Sequence, residues 1–277
     1  MRANIIQIKL MKQKGEKITM LTAYDYMTAK IIDEAGIPLI LVGDSLGTVI
    51  LGYDSTIPVT MEDMLHHTKA VVRGSKNALV IADMPFMSYH INTNQALTNA
   101  ARLIQEGGAQ AVKVEGGVSV AGKVKKIVDC GIPVMGHIGL TPQSINQLGG
   151  HKIQGKDIET GRKLLADAKA LEEAGAFAVV LETVPEALAA FISAKINIPT
   201  IGIGAGAGCD GQVQVVSDIL GLFTDFVPKH TKQYAQLAKS MSEAVKNYYD
   251  EVKSGLFPTA AQSFSMDESI INDLKKE

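Results

Sequence analysis

PLILVGDSLG (38–47) passes without a transition from a run of apolar residues to Asp44 and Ser45, set between Gly43 and Gly47. An apolar run this short, closed by turn residues, reads as a buried strand. The same reading applies to KITMLTAYD (17–25), ALVIADMPF (78–86), QAVKVEGG (110–117), IPVMGHIGLTP (132–142), AFAVVLETV (176–184), IPTIGIGAG (198–206) and LFTDFVPKH (222–230). Segments of helical periodicity separate them. NQALTNAARLIQEGGA (94–109) and TGRKLLADAKALEEAGA (160–176) are the clearest, each with an apolar face and a Gly after its last turn.

Near-continuous apolar strands alternating with helices predict an α/β fold with a parallel sheet covered by helices. Eight such units predict closure into a (β/α)8 TIM barrel, one domain spanning residues 1–277. An open doubly wound sheet is the competing arrangement, but it gathers ligand contacts at one switch point. Here polar residues end at least six strands. Residues 1–16 and 255–277 are expected to pack outside the barrel. The second segment follows a terminal helix over 233–252 as a C-terminal helical extension that folds back or meets a neighbouring subunit.

With 277 residues, 46% of them hydrophobic, the chain can bury a sizeable core. A net charge of −2 provides no electrostatic footprint for nucleic acid or an anionic membrane surface, so the expected partners are small molecules or protein. Cys130 and Cys209 show no metal or redox spacing. Neither a secretory leader nor an apolar run of membrane-spanning length is evident, which predicts a cytoplasmic protein.

Side chains two apart on a strand face the same way, so Lys113 and Glu115 in VKVEGG point together. The barrel interior near its open end suits them better than a helical layer, because there they can pair with each other and with water. Asp44, Asp83, His137 and Glu182 end their own apolar runs and converge on the same mouth. A lone strand-end Asp also suits the N-cap of the next helix, and His137 also suits a satisfied core histidine. Four carboxylates beside one lysine call for added positive charge. An all-carboxylate donor set favours Mg²⁺, or Mn²⁺, over Zn²⁺, with Asp44 and Asp83 as the expected ligand pair. His66 and His67 are placed on a helix surface. GAGCDG (206–211) fits a weak dinucleotide pattern, but in the seventh barrel unit its glycines are expected to let backbone approach a ligand.

Together the motifs MLTAYDY (20–26), LVGDSLGTVILGYDSTIPVTMEDMLHHTKAVVRG (41–74), ADMPFMSY (82–89), AVKVEGG (111–117), GHIGLTPQSINQLGG (136–150), LEEAGAFAVVLETVP (171–185), IPTIGIGAGAGCDGQV (198–213) and FVPKH (226–230) resemble the ketopantoate hydroxymethyltransferase family over nearly the whole chain. The resemblance implies Mg²⁺-dependent transfer of a hydroxymethyl group from 5,10-methylenetetrahydrofolate to 3-methyl-2-oxobutanoate through a stabilised enolate. The product would be 2-dehydropantoate, for pantothenate and coenzyme A synthesis. It implies metal ligation by Asp44 and Asp83 with Glu115 near the metal through water, and Glu182 as the base. It also implies that Ser45, Lys113 and His137 join Asp44 and Asp83 around the substrate, and that the assembly is a homo-oligomer such as a decamer. Three other readings compete: a Schiff-base aldolase using Lys113, a Mg²⁺-dependent lyase or mutase for another 2-oxo acid, and a catalytically silent binding protein on a barrel scaffold.

Overall fold

Alternation along each strand decides which side chains fill the barrel. The computed structural model describes residues 2–277. Its strands are β1 (Ile18–Thr22), β2 (Leu39–Val42), β3 (Leu79–Asp83), β4 (Ala111–Glu115), β5 (Val134–Gly139), β6 (Ala178–Glu182), β7 (Thr200–Ile203) and β8 (Gly211–Gln214). They form a closed parallel barrel in sequence order, with β8 returning to β1. Inward positions carry Leu39, Leu41, Leu79, Ile81, Ala111, Met135, Ala178, Val180, Ile201 and Val213, all buried in one interior cluster. Outward positions such as Ile40, Val80, Val112 and Val179 belong to the larger layer between barrel and helices. Burying a side chain of this size stabilises by about 1.5–3 kcal/mol, so the two layers together hold the fold.

The helices are α1 (Ile5–Lys14), α2 (Tyr26–Glu34), α3 (Leu46–Val49), α4 (Met61–Gly74), α5 (Thr93–Gln105), α6 (Val118–Asp129), α7 (Ile145–Leu148), α8 (Ile158–Glu173), α9 (Glu186–Lys195), α10 (Val216–Ile219), α11 (Leu237–Ser254) and α12 (Glu268–Leu274). Their starts follow the residues that favour starts. Asp25, Thr60, Asn92 and Asp157 accept backbone N–H bonds as N-caps of α2, α4, α5 and α8. At the amino-terminal end of the barrel, α1 inserts Ile8 into the interior cluster, 1% exposed.

Two expectations fail at the seventh and eighth units. The eighth strand is not at 222–230, which forms a loop over the barrel mouth; it is GQVQ at 211–214, where Ile18–Leu21 of β1 pairs with it. No helix separates β7 from β8. The chain crosses back through 204–210, and small residues allow it to lie flat where a helix would normally cover the sheet. A Cβ on Gly206 would stand 2.4 Å from the Glu186 side chain, and one on Gly208 would stand 2.6 Å from Ala190 Cβ, both on α9. The glycines of GAGCDG therefore serve packing rather than ligand approach. Lys17 Nζ donates to the carbonyls of Ala207 and Cys209, and Lys12 Nζ lies 2.9 Å from Asp210, clamping the crossover to the first unit.

Candidate active site

Strand register sets acids beside bases at the carboxyl end of the barrel. Asp83 of β3 is level with Lys113 of β4, and Glu115 of β4 is level with His137 of β5. All four continue the inward series one or two steps above the apolar layers, and all are at least 96% buried. Lys113 Nζ lies 2.8 Å from Asp83 Oδ1 and 3.2 Å from His137 Nδ1. His137 bridges two carboxylates: Nδ1 is 3.4 Å from Glu115 Oε1, and Nε2 is 3.2 Å from Glu182 Oε2. Glu182 is the most open of the set, at the cavity wall with its side chain 17% exposed.

Asp44 and Ser45 sit in the turn after β2. A Cβ on Gly43 would stand 2.8 Å from Ser45 Oγ and would push that hydroxyl from its present place. Gly47 has a different reason, since its Cβ would meet Val59 at 2.6 Å. The Asp44 N–H donates to Asp83 Oδ2 at 3.0 Å, and Ser45 Oγ lies 2.8 Å from the buried Tyr24 hydroxyl. Asp44, 4% exposed, does not cap α3, whose N-cap residue is Ser45 and makes no side-chain cap bond.

The charges are mutually adjusted. Burial, then repulsion from Asp83 and Glu115, pushes Asp44 well above the usual carboxylate range. Burial also raises Asp83, against the pull of Lys113. Burial alone would raise Glu115, but His137, Lys113 and the Gln143 N–H outweigh it and hold that carboxyl low. Burial would lower Lys113, yet Asp83, Glu115 and Asp44 keep it firmly protonated. His137 is raised to about 9 because Glu115 and Glu182 overcome burial and the nearby lysine. Four carboxyl groups thus share the mouth with only Lys113 and His137, an acid-rich donor set.

Carboxylate oxygens of Asp44, Asp83 and Glu115 gathered at one end of the cavity fit a hard dication there. Among the described residues no three His, Cys, Asp or Glu side chains converge as a ready-made cage. Mg²⁺ needs none, since it commonly takes one or two carboxylates and fills its shell with water and substrate oxygens.

Several residues at the mouth had no signal in the sequence. Gln143, in a 3₁₀ turn at Pro142–Ser144, is 3% exposed and hydrogen-bonds to both Asp44 and Glu115. Tyr24 holds Ser45, and Tyr89 holds Gln143. His67 is not a surface residue; it is half-buried and donates Nδ1–H to the Tyr24 carbonyl at 2.6 Å. Asp218, buried within α10, lines the cavity with its carboxyl pushed up to about 6 by burial. Directly after Glu182, Thr183 has φ of 52°, which a β-branched residue rarely adopts. The turn persists because the Thr183 N–H donates to Ile203 O and its carbonyl accepts from the Gln154 N–H. The whole mouth encloses about 1280 Å³, lined also by Phe223, Phe226 and His230 of the 222–230 loop.

The family model for ketopantoate hydroxymethyltransferase matches residues 2–260. The chain is 69% identical over 276 residues to 3-methyl-2-oxobutanoate hydroxymethyltransferase of Dehalococcoides mccartyi (strain CBDB1), covering 100% of this chain and 99% of that one. It is 61% identical over 265 residues to the enzyme of the same name from Acetivibrio thermocellus, covering 96% and 94%. Among solved structures it resembles phosphonopyruvate hydrolase, with a TM-score of 0.62 at 13% identity over 99% of this chain and 95% of that one. It also resembles 2,3-dimethylmalate lyase, with a TM-score of 0.60 at 15% identity over the full length of both. At such identities the likeness extends to the barrel alone. The matches that span the full sequence identify the chain as a member of the ketopantoate hydroxymethyltransferase family, enzymes that transfer a hydroxymethyl group.

Proposed function

We propose that the protein transfers a hydroxymethyl group from 5,10-methylenetetrahydrofolate to 3-methyl-2-oxobutanoate, forming 2-dehydropantoate for pantothenate synthesis. The observation that carries this reading is the buried Asp44, Asp83, Glu115 and Lys113 cluster facing a partly open carboxylate, Glu182, across one cavity. The relatives' names supply the oxo acid. A volume of about 1280 Å³ exceeds the roughly 300–1,000 Å³ of an ordinary small-molecule pocket, leaving space for a pterin beside a five-carbon acid. Phe223 and Phe226 offer that pterin aromatic walls.

The residues divide the work. Lys113, kept cationic by its acidic neighbours, attracts the substrate carboxylate, and Ser45, oriented by Tyr24, donates a hydrogen bond to it. Glu182 takes the C3 proton. The electron pair left behind forms the new bond to the one-carbon unit, whose two bonds to folate nitrogens break as water supplies the hydroxyl oxygen and tetrahydrofolate leaves. His137 holds Glu182 Oε2, leaving Oε1 free to face the substrate. Asp44 and Asp83, with Glu115 near them, would hold Mg²⁺ or Mn²⁺, which would supply Lewis acidity toward negative charge on the keto oxygen. A Schiff-base mechanism needs a neutral lysine, and Lys113 among three carboxylates is held protonated.

The test is proton exchange at C3 of 3-methyl-2-oxobutanoate in D₂O, followed by NMR. Enzyme with Mg²⁺ should exchange the proton without folate, and EDTA should stop it. Exchange that ignores EDTA would refute the metal's part, and no exchange under any condition would refute the substrate.

A homo-oligomer in the cytoplasm completes the proposal. None of the described helices is long and apolar enough to cross a membrane. On α11, Met241, Val245, Tyr248 and Val252 form one apolar stripe, each 44–66% exposed, with no buried residue on the helix. Another copy of the chain is the proposed cover for this stripe. Sedimentation velocity should show an assembly that Val245→Glu with Tyr248→Glu breaks down; a monomeric wild type would contradict it.

A further inference from the structure

We propose that Gln143 is a positioning residue that sets which oxygens of Asp44 and Glu115 face the cavity, and so sets the affinity of the site for a divalent cation. This rests on the metal reading above.

One residue of the loop after β5 ties together the ends of three other strands. Gln143 Nε2 donates to Asp44 Oδ2 at 2.8 Å and to the Met84 carbonyl at 3.0 Å. Its backbone N–H donates to Glu115 Oε2 at 3.0 Å. Its Oε1 lies 2.9 Å from the Tyr89 hydroxyl, which also accepts the Glu115 N–H at 3.0 Å. The amide can sit only one way round, because the Met84 carbonyl requires a donor facing it. Both N–H groups of the side chain are thereby committed, and its oxygen has a partner.

The bonds from Gln143 leave one oxygen of each carboxylate uncommitted to it. Gln143 takes Asp44 Oδ2 and Glu115 Oε2, so Asp44 Oδ1 and Glu115 Oε1 remain, the latter 3.4 Å from His137 Nδ1. A neutral amide suits this task where a lysine or arginine would not. It orients a carboxylate through a strong hydrogen bond without cancelling the charge that attracts a cation. Nor is Gln143 a substrate contact: Pro142 and Ile145 on either side line the cavity, whereas Gln143 lies behind it. Tyr89, 1% exposed, stands behind Gln143 in turn and fixes its oxygen.

The test is direct binding of Mn²⁺ to full-length metal-free protein, read by calorimetry and by the EPR signal of free Mn²⁺, alongside circular dichroism and thermal melting. Gln143→Met keeps the volume and the backbone bond to Glu115 but removes the side-chain donors. Its Mn²⁺ affinity should fall roughly 10–100-fold, the usual cost of losing a group that orients a ligand. Raising Mn²⁺ to saturation should then restore part of the lost exchange activity, which a purely structural defect would not allow. A folded Gln143→Met with wild-type affinity overturns the proposal. If that variant does not fold, Gln143→Asn serves: it keeps a neutral amide one methylene too short to reach Asp44, and should weaken Mn²⁺ several-fold, with unchanged affinity again refuting the idea. A wild type that binds no Mn²⁺ overturns the metal reading and the role of Gln143 together, an outcome distinct from tight binding that the variants leave intact.

Discussion

Glu182→Gln should slow deuterium exchange at C3 of 3-methyl-2-oxobutanoate by roughly a hundred- to ten-thousandfold, the range a positioned general base contributes. The substitution keeps the shape and the contact with His137 Nε2, 3.2 Å away in the native protein, and removes only the capacity to accept a proton. The dissociation constant for the oxo acid should therefore stay within a few-fold of wild type. The position of Glu182 supports this expectation. It ends β6 on the inward face and is more open than Asp83, Lys113, Glu115 or His137. NMR exchange and calorimetry read the two quantities separately. Native exchange in the variant would remove Glu182 from the role of base and turn attention to other groups at the mouth.

Asp44→Asn should move stability and activity in opposite directions. Asp44 is pushed well above its ordinary value by burial and by Asp83 and Glu115, so its ionised form opposes folding in metal-free protein. The sign follows from linkage: a carboxyl raised in the folded state binds its proton more tightly there, so stability falls as pH rises from the ordinary carboxylate value through the raised one. The neutral amide removes that loss and can still accept from Gln143. In EDTA at neutral pH the variant should be more stable by about 1–3 kcal/mol, the scale seen when buried charge is relieved. Its metal-stimulated turnover should drop by roughly a thousandfold or more, because several kcal/mol of charge stabilisation depend on the cation. Urea unfolding across pH and steady-state kinetics test the two halves. A variant less stable than wild type in EDTA would mean that Asp44 is already neutralised in the native protein.

Lys113 and Glu115 show how far a local rule reaches. Their spacing along one strand settles that they share a face, and the surrounding apolar residues settle that the strand is buried. Asp83, His137 and Glu182 follow from the same rule at neighbouring strand ends. Asp25, by contrast, ends its apolar run in the same way and turns out to cap α2. No pattern within TAYD and VGDSLG separates the cap from the buried acid; the difference is that Asp44 lies against Asp83 and Gln143, residues from other strands.

The eighth stave exposes the limit most clearly. GQVQ is too short and too polar to announce a strand, and it becomes one because β1 and β7 both present unpaired backbone groups to it. LFTDFVPKH has the better strand composition but forms a loop, since the barrel has already closed and the segment instead faces the cavity.

What the sequence determined by itself was whatever depends on neighbours along the chain: the beat of strand and helix, the inward set of ionisable residues, and the motifs that mark the family. Tertiary structure alone decided which strand closes the barrel, that a glycine-rich crossover replaces a helix, and that Gln143 reaches Asp44 across 99 positions. The physical reason is that backbone pairing and side-chain hydrogen bonding depend on distance in space, and only closure of the barrel brings those groups within 3 Å of one another.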